Sequence, residues 1–304
     1  MNREAKAEPL TKKKDRGLAV WSIGIYSGST LSDLKPARDA QNPVLYAQDV
    51  CDVKAQFVAD PFMIREQNTW HMFFEVMNAE TGKGDVGLAT SGNGLEWKYK
   101  QIVLTEPFHI SYPYVFCLKG THYMIPETYQ AEAIRLYRAD PFPERWTFVG
   151  NILEGPWVDP SIFFFESRWW LFSSPVAPEN EVLELFYAEN ITGPWLRHPM
   201  SPLMKGNKYM ARPAGRVVIP GKSPIRFTQN CMPFYGTTVR AFEVAELSTS
   251  NYVERELEQS PILSAGNQHW NRSGMHHIDS HFVDNSWFAC VDGWRFEPRV
   301  AAQV

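Results

Sequence analysis

The chain has 304 residues, and 44% of them are hydrophobic, which is the composition of a globular protein. Its 30 lysines and arginines are nearly balanced by 34 aspartates and glutamates, and a net charge of −4 argues against a nucleic-acid-binding surface. Aromatic residues reach 14%, and 22 prolines and 19 glycines are spread along the chain, which favours an all-β fold.

The chain begins with a charged segment, residues 1–17, that lacks the apolar stretch of a signal peptide. We therefore expect a disordered N-terminal tail and a cytoplasmic protein. No stretch approaches the roughly 20 uncharged apolar residues that span a bilayer, so we predict no transmembrane segment. Residues 297–304 are predicted to be a C-terminal tail.

Five segments share a signature in which a polar residue, in most cases followed by proline, precedes an apolar run. The signature residues are Asp60, Tyr112, Asp159, Arg212 and His277. A second, aromatic-rich run ends 15 residues after the signature residue in four repeats and 17 residues after it in the repeat of Arg212. These second runs end at Glu75, Glu127, Ser174, Gln229 and Asp292. Such a constant period is typical of repeat architectures.

Two further strand-like runs follow in each of the first four repeats, which makes four strands per repeat, as in a propeller blade. The last repeat stops after two strands, and Leu18–Ser27 and Pro43–Ala47 near the N-terminus supply the missing pair. We therefore predict a five-bladed β-propeller over residues 18–296, whose last blade combines residues 18–48 with residues 276–296. A β-sandwich with accidental internal similarity is the alternative.

In a propeller blade, the start of the innermost strand and the end of the second strand lie on the same face beside the central channel. The ten residues above are therefore predicted to converge, and polar groups that converge amid apolar strands are typical of a small-ligand pocket. Structural alternatives exist for each residue. An Asp-Pro pair often only starts a strand, Glu75 and Glu127 fit solvated strand ends, and Arg212 fits a neutralising partner for carboxylates.

The signature segments resemble motifs of glycoside hydrolase family 43. Ala59-Asp60-Pro61 is similar to the first-blade motif that carries the general base, and Val158–Phe163 is similar to the third-blade motif, whose aspartate tunes the acid and orients the substrate. His277 is similar to the fifth-blade histidine that often holds a water or a calcium ion. The resemblance thus implies Asp60 as base and Asp159 as tuning residue.

We predict no required cofactor, and a calcium or other metal ion near His277 remains an open alternative. His276, His277 and Asp279 would supply its ligands. A hydrogen-bonded channel without a metal is equally consistent with neutral histidine beside aspartate.

A more extensive resemblance involves the second and fourth blades. His109–Phe116, Tyr123–Glu127, Ala211–Arg216, Gln229–Cys231 and Tyr235-Gly236 resemble the family-43-like propeller domain at the N-terminus of plant glucosamine inositolphosphorylceramide transferases and in bacterial polysaccharide-biosynthesis proteins. This resemblance covers nearly the whole chain and implies a role with glycans or glycolipids.

One position departs from family 43. That family has its general acid, a glutamate, two residues before the fourth-blade proline, where this chain has Ala211. An inverting hydrolase needs an acid and a base with carboxyl groups ~6.5–9.5 Å apart. We therefore assign the acid to Glu127, which ends a strand among aromatic residues that raise a carboxyl pKa by desolvation. Glu75 is the reserve candidate.

We predict a glycan-active protein, most simply a glycoside hydrolase-like enzyme with Asp60, Asp159 and Glu127 as catalytic residues and a carbohydrate or glycoconjugate as its ligand. Tyr112, Tyr114 and Trp294 are candidates for stacking on sugar rings. Substrate contacts are predicted for a larger set, namely Glu75, Tyr112, Arg212, Gln229, His277, Asp279 and Asp292. The alternative is a non-catalytic carbohydrate-binding propeller that serves glycan or glycolipid biosynthesis. A protein-interaction propeller is less favoured, because the polar residues cluster at the channel.

Overall fold

A computed structural model describes residues 18–297, so the predicted tails, apart from Glu297, lie outside the described residues. Within this range the chain forms 20 β-strands and four short 3-10 helices, at Leu31–Asp33, Ala47–Asp49, Tyr129–Ala131 and His269–Asn271. In this part of the chain, none of the helices has the length and apolar character needed to cross a membrane. The strands form five antiparallel, four-stranded sheets, which confirms the predicted all-β, five-bladed propeller.

The blades follow one another along the chain. The chain enters the fold with β1 (Leu18–Gly28) and β2 (Lys35–Pro36). Blade one contains β3 (Ala55–Glu66), β4 (Thr69–Asn78), β5 (Lys83–Ser91) and β6 (Lys98–Leu104). Blade two contains β7 (Ser111–Leu118), β8 (Thr121–Glu127), β9 (Ala133–Ala139) and β10 (Trp146–Glu154). Blade three contains β11 (Trp157–Phe165), β12 (Arg168–Pro175), β13 (Glu184–Ala188) and β14 (Leu196–Arg197).

The last two blades are less regular. Blade four contains β15 (Ile225–Asn230), β16 (Thr238–Leu247), β17 (Tyr252–Glu256) and β18 (Leu263–Ser264), and both β17 and β18 pair with β16. Blade five contains β19 (Ile278–Val283) and β20 (Ser286–Glu297), followed in the sheet by β1 and β2. First strands of neighbouring blades contact one another, as β7 does with β3 and β11.

Blade five closes the ring as the sequence predicts. β1 pairs with β20 along all of its 11 residues, from Leu18 opposite Glu297 to Gly28 opposite Trp287. The prediction of a fourth strand at Pro43–Ala47 is wrong. This segment forms only one isolated β-bridge, between Leu45 and Ile23. The Asn42 side chain replaces part of the missing pairing, since it accepts from the backbone N–H of Ile25 (2.7 Å) and donates to its carbonyl (2.9 Å).

The inner edge of blade four is not a regular strand. The backbone of the segment after Arg212 pairs with β15 through isolated bridges at Pro213 and Val218, and Gly215 forms a bridge to Ile278 of blade five. Gly215 has a φ of +134°, and a Cβ there would lie 1.7 Å from the Ile278 carbonyl oxygen. Glycine therefore allows the backbones of blades four and five to approach this closely.

The signature residues of the first three blades share an unusual backbone conformation. Asp60, Tyr112 and Asp159 have φ values of 52°, 48° and 49°, in the left-handed region. Strand pairing shifts register at each of these positions, as expected for a β-bulge. Bulges re-aim side chains, and left-handed conformations of non-glycine residues cluster at functional sites. The repeated bulge therefore indicates that a functional site lies at the centre of the ring.

Candidate active site in the central channel

Asp60 lies in the channel with two histidines beside its carboxyl group. Its side chain is 9% exposed, and its Oδ1 lies 3.6 Å from His276 Nε2 and 3.8 Å from His277 Nδ1. Burial raises the pKa of Asp60 to about 7, although His276 acts in the opposite direction. Near neutral pH this carboxyl group can therefore both accept and release a proton.

Asp292 holds the two histidines in place. Its Oδ1 accepts from His276 Nδ1 (2.8 Å) and from the backbone N–H groups of His276 and His277, while its Oδ2 accepts from the N–H of Asp60 (3.0 Å). Burial opposes ionisation of Asp292, but His276 and these hydrogen bonds outweigh burial and lower its pKa. Burial likewise lowers the pKa of His276, yet Asp292 and Asp60 outweigh it and raise the net value. His276 is thus favoured in its charged form.

His277 is held as a neutral ring. Its Nε2 lies 3.0 Å from the carbonyl oxygen of Pro61, so Nε2 carries the proton and donates. Its Nδ1 is buried and has no hydrogen-bond partner among residues 18–297. Burial lowers the pKa of His277 to about 4. The lone pair of Nδ1 therefore faces the carboxyl group of Asp60.

Arg212 joins the other two predicted catalytic residues. Its Nε donates to Asp159 Oδ2 (2.5 Å), its Nη2 lies 3.5 Å from Glu127 Oε2, and its Nη1 donates to Asn180 (2.9 Å). Glu127 Oε2 also accepts from the backbone N–H of Asp159 (3.1 Å). Burial raises the pKa of Glu127 well above its ordinary value, and Arg212 only partly opposes this. Glu127 therefore retains a proton to higher pH than an exposed glutamate.

Gln229 positions Asp159 from the neighbouring blade. Its amide donates to Asp159 Oδ2 (2.7 Å) and to the Pro213 carbonyl (2.9 Å), and the side chain is 1% exposed. We therefore place Gln229 behind Asp159 and not in contact with a ligand.

Glu75 is a buried carboxyl group that interacts electrostatically with both Asp60 and Glu127. Burial raises its pKa well above the ordinary value, and the carboxyl groups of Asp60 and Glu127 raise it further. His109 Nδ1 accepts from the Gly84 N–H (2.9 Å), so the neutral ring carries its proton on Nε2, which lies 3.6 Å from Glu75 Oε1. Glu75 is therefore a second buried acid beside the predicted pair.

A cavity of about 490 Å³ opens beside Glu127 and Arg212. Its lining includes His109, Tyr129 and Asn180, and its volume is within the range of small-molecule sites. Asp60 is not part of the lining. The cavity therefore gives a ligand access to Glu127 and Arg212.

Two aromatic residues that the sequence analysis did not assign to the site form a wall near Asp60. The Trp21 ring stacks on His276 with centroids 3.9 Å apart, and Tyr235 meets His276 edge-to-face at 5.2 Å. The Arg212 guanidinium lies over the Tyr235 ring at 5.3 Å. Tyr235 is 40% exposed, which leaves part of its ring open to a ligand. The sequence offered one indication of Tyr235, because the Tyr235-Gly236 pair is part of the family resemblance. For Trp21 it indicated only a position in a β-strand.

The structure contradicts the predicted sugar stacking by Tyr112, Tyr114 and Trp294. These rings are 0%, 3% and 4% exposed. The Tyr112 hydroxyl accepts from the Gly215 N–H (2.5 Å) and bonds Ser161 (2.7 Å), and Trp294 donates to the Gly236 carbonyl. Close packing between blades buries these rings, so Tyr112 connects blades and does not face a ligand.

Asp279, another predicted substrate contact, is engaged in a separate ion cluster. Its Oδ1 accepts from Arg216 Nε (2.5 Å), and its Oδ2 accepts from the Met63 N–H (2.7 Å) and lies 3.0 Å from His281 Nε2. Burial opposes ionisation of Asp279, but Arg216 outweighs burial and lowers its pKa. Because Asp279 is 0% exposed and held by these three groups, it is not placed to contact a substrate.

The residues near His277 do not fit the calcium ion that the family resemblance implies. Asp60, His276 and Asp292 offer ligand atoms within 4.8 Å of one another. Calcium takes six to eight oxygen ligands, whereas this set includes an imidazole, and both oxygens of Asp292 already accept hydrogen bonds. Asp279 is occupied as well. We assign no chemical step to a metal ion.

Comparison with protein families gives one match over most of the chain. Residues 13–294 match the family described as glucosamine inositolphosphorylceramide transferase 1, N-terminal. Proteins named glucosamine inositolphosphorylceramide transferase 1 from Oryza sativa subsp. japonica and Arabidopsis thaliana are each 33% identical to it, over 92% and 90% of this chain. The chain spans only 40% and 39% of the length of these two relatives.

Solved structures of glycan-degrading enzymes share the fold. The catalytic domain of a Coprinopsis cinerea GH62 α-L-arabinofuranosidase has a TM-score of 0.58 and 15% identity, covering 85% of this chain and 84% of that one. The Cellvibrio cellulosa α-L-arabinanase has a TM-score of 0.54 and 19% identity, covering 77% and 86%. At these identities the likeness shows the fold alone.

Proposed function

Because the chain belongs to the glucosamine inositolphosphorylceramide transferase 1 N-terminal family, we propose that it acts on a glycan or glycoconjugate in the central channel. Asp60 is the proposed general base and Glu127 the proposed general acid. Asp159 and Arg212 position the acid and contact the ligand. The support comes from the contrasting environments of the two carboxyl groups.

The carrying observation is that two buried carboxyl groups have different partners. Asp60 lies between two histidines, whereas Glu127 lies on the cavity wall beside Arg212. Paired titratable groups in different environments are the usual basis of acid and base assignments. In the proposed hydrolytic step, Asp60 takes a proton from the attacking water, whose oxygen forms a new bond to the anomeric carbon of the sugar. The bond to the leaving oxygen breaks, and Glu127 protonates that oxygen.

A binding function without catalysis is the second candidate, and one observation favours it. Ala211 occupies the family 43 acid position and is fully buried, so it contributes no carboxyl group there. The next residue, Arg212, instead contacts both Asp159 and Glu127. A site in which an arginine engages the carboxyl groups is suited to recognition of a glycan as well as to its cleavage.

Two variants test the proposal against a panel of glycosides and glycolipid headgroups. Asp60→Asn should abolish turnover and keep ligand affinity within about tenfold, because it removes proton transfer and preserves shape. Glu127→Gln should slow substrates with poor leaving groups far more than aryl glycosides, whose leaving oxygen hardly needs a proton. Glu144→Gln, at an exposed position, is the control and should leave turnover unchanged.

Two outcomes would reject parts of this scheme. If the parent converts no member of the panel and both variants bind a glycan as the parent does, recognition is the function. If turnover is measured and Glu127→Gln leaves it unchanged, the acid lies elsewhere, and Glu75 is the next position to substitute.

A further inference from the structure

A second cavity of about 490 Å³ lies on blade five and shares no lining residue with the channel cavity. We call it the blade-five pocket, and it is lined by Ser22, Asn42, Pro43, Tyr46, Gln268, His269, Trp270 and Arg295. Successive side chains of a strand point to opposite faces of the sheet. Trp21 contacts the channel residue His276, so its neighbour Ser22 points to the other face of the blade.

The floor of the blade-five pocket follows from the pairing of β1 with β20. Ser22 pairs with Gly293, and Arg295 pairs two residues further along, with Val20. Paired residues share a face, so the Ser22 and Arg295 side chains are diagonal neighbours on it. A Cβ on Gly24 would lie 2.6 Å from the Trp270 ring, and one on Gly293 would lie 2.8 Å from it. These glycines therefore let Trp270 pack directly on the sheet as a wall of the pocket.

Two polar atoms of the lining are buried without hydrogen-bond partners among residues 18–297. They are the hydroxyl oxygen of Ser22, which is 0% exposed, and Nε of Arg295. A buried polar group without a partner costs about 1–3 kcal/mol, so native structures rarely leave one without a reason. Arg295 also pairs through Nη2 with Glu297, which offsets its charge. The pocket therefore presents a donor and a hydroxyl without a strong net charge.

We propose that the blade-five pocket binds one neutral sugar residue of a glycan, separately from the channel. Both atoms are covered in the free protein, so binding turns the Arg295 side chain, after which one sugar hydroxyl accepts from Arg295 Nε and another bonds Ser22. The Tyr46 ring, 42% exposed, offers an apolar surface for the sugar ring. The charge offset by Glu297 favours a neutral sugar over a phosphate. This proposal does not depend on turnover in the channel.

NMR titration of the full chain tests the ligand class. The probes are the methyl glycosides of glucose, galactose, mannose and arabinose, with inorganic phosphate in a parallel arm. At least one glycoside should shift the indole N–H signal of Trp270, with or without a separate shift of Trp294 from binding in the channel, and phosphate should not shift the Trp270 signal. A shift of Trp270 by phosphate, a shift confined to Trp294, or no shift with any probe would overturn the proposal.

The variant Ser22→Ala tests whether the Ser22 hydroxyl contributes to ligand binding or only to the stability of the fold. The variant should weaken glycoside binding about tenfold, a change of about 1.4 kcal/mol, while its Tm stays equal to the parent's or rises, because the lost hydroxyl has no partner. Tyr46→Ala should also weaken binding, and Tyr209→Ala, at a 51% exposed tyrosine outside both cavities, is the control. A lowered Tm in Ser22→Ala, or unchanged affinity in both variants, contradicts the proposal. The Trp270 shift should persist in Asp60→Asn. A loss of turnover in the channel can therefore be told apart from a loss of binding in the blade-five pocket.

Discussion

Arg212 lies between Asp159 and Glu127 with its side chain 14% exposed. Removal of one partner from a buried ion pair leaves the other charge uncompensated, which typically costs 3–5 kcal/mol. We expect Arg212→Met to lower the free energy of unfolding by about 3–5 kcal/mol in urea titrations. Lys35→Met is the control, because Lys35 pairs with Asp33 and both side chains are exposed (73% and 52%), and about 0–1 kcal/mol is expected there. Equal losses in the two variants would contradict the buried role of Arg212.

Asp60 makes stability depend on pH with a definite sign. Burial raises its pKa from 3.8 to about 7, so between these values the folded state binds more protons than the unfolded state. The contribution of Asp60 to stability therefore falls as pH rises from about 4 to about 7. Asp60→Asn removes this contribution, and its stability relative to the parent should increase across that window.

Urea titrations at about pH 5 and about pH 8 measure this difference. Asp39→Asn, at an exposed position, is the control and should follow the parent at both pH values. A relative stability of Asp60→Asn that stays constant or decreases with pH would show that Asp60 does not titrate as proposed.

At the scale of elements, the pairing of β1 with β20 closes the ring. A chain that lacks residues 1–48 loses β1 and β2, and β20 loses a partner that it contacts over 11 residues. The unpaired edge and the exposed core of blade five should abolish a cooperative thermal transition, measured by circular dichroism. Deletion of residues 1–15 is the control, because it removes no described strand, and its transition should match the parent's. A transition near the parent's after the longer deletion would contradict closure by β1.

At the scale of the whole molecule, Tyr112 connects three blades. Its hydroxyl, from blade two, bonds Ser161 of blade three and accepts from the Gly215 N–H in the inner segment of blade four. Tyr112→Phe should lower the free energy of unfolding by about 1–3 kcal/mol, because the Gly215 N–H would remain buried without its acceptor. Tyr209→Phe, at a 51% exposed position, should change it by less than about 0.5 kcal/mol. If the two variants lose the same stability, the connection between the blades is not important for stability.

The family resemblance and the repeat signature together predicted most of the residues of the candidate site. The constant offset between Asp60 and Glu75, or between Asp159 and Ser174, shows which strand positions are equivalent, and equivalent positions meet at the axis of a closed ring. Roles at the axis do not follow from equivalence. Tyr112 has the same position and the same bulge as Asp60, yet packing buries it as a connection between blades.

Local pattern determined the all-β class, the five blades and their closure, because strand periodicity and repeat length depend on residues close together in the chain. Tertiary structure alone decided the partners, since these join residues distant in sequence. Asp159 pairs with Arg212, 53 residues away, and Asp279 with Arg216, 63 residues away. Asp159 therefore lies beside Glu127 and Arg212, whereas Asp279 is held in a separate buried ion cluster. The sequence also predicted that the two ends share blade five, but only the register of β1 with β20 places Ser22 beside Arg295 in the blade-five pocket.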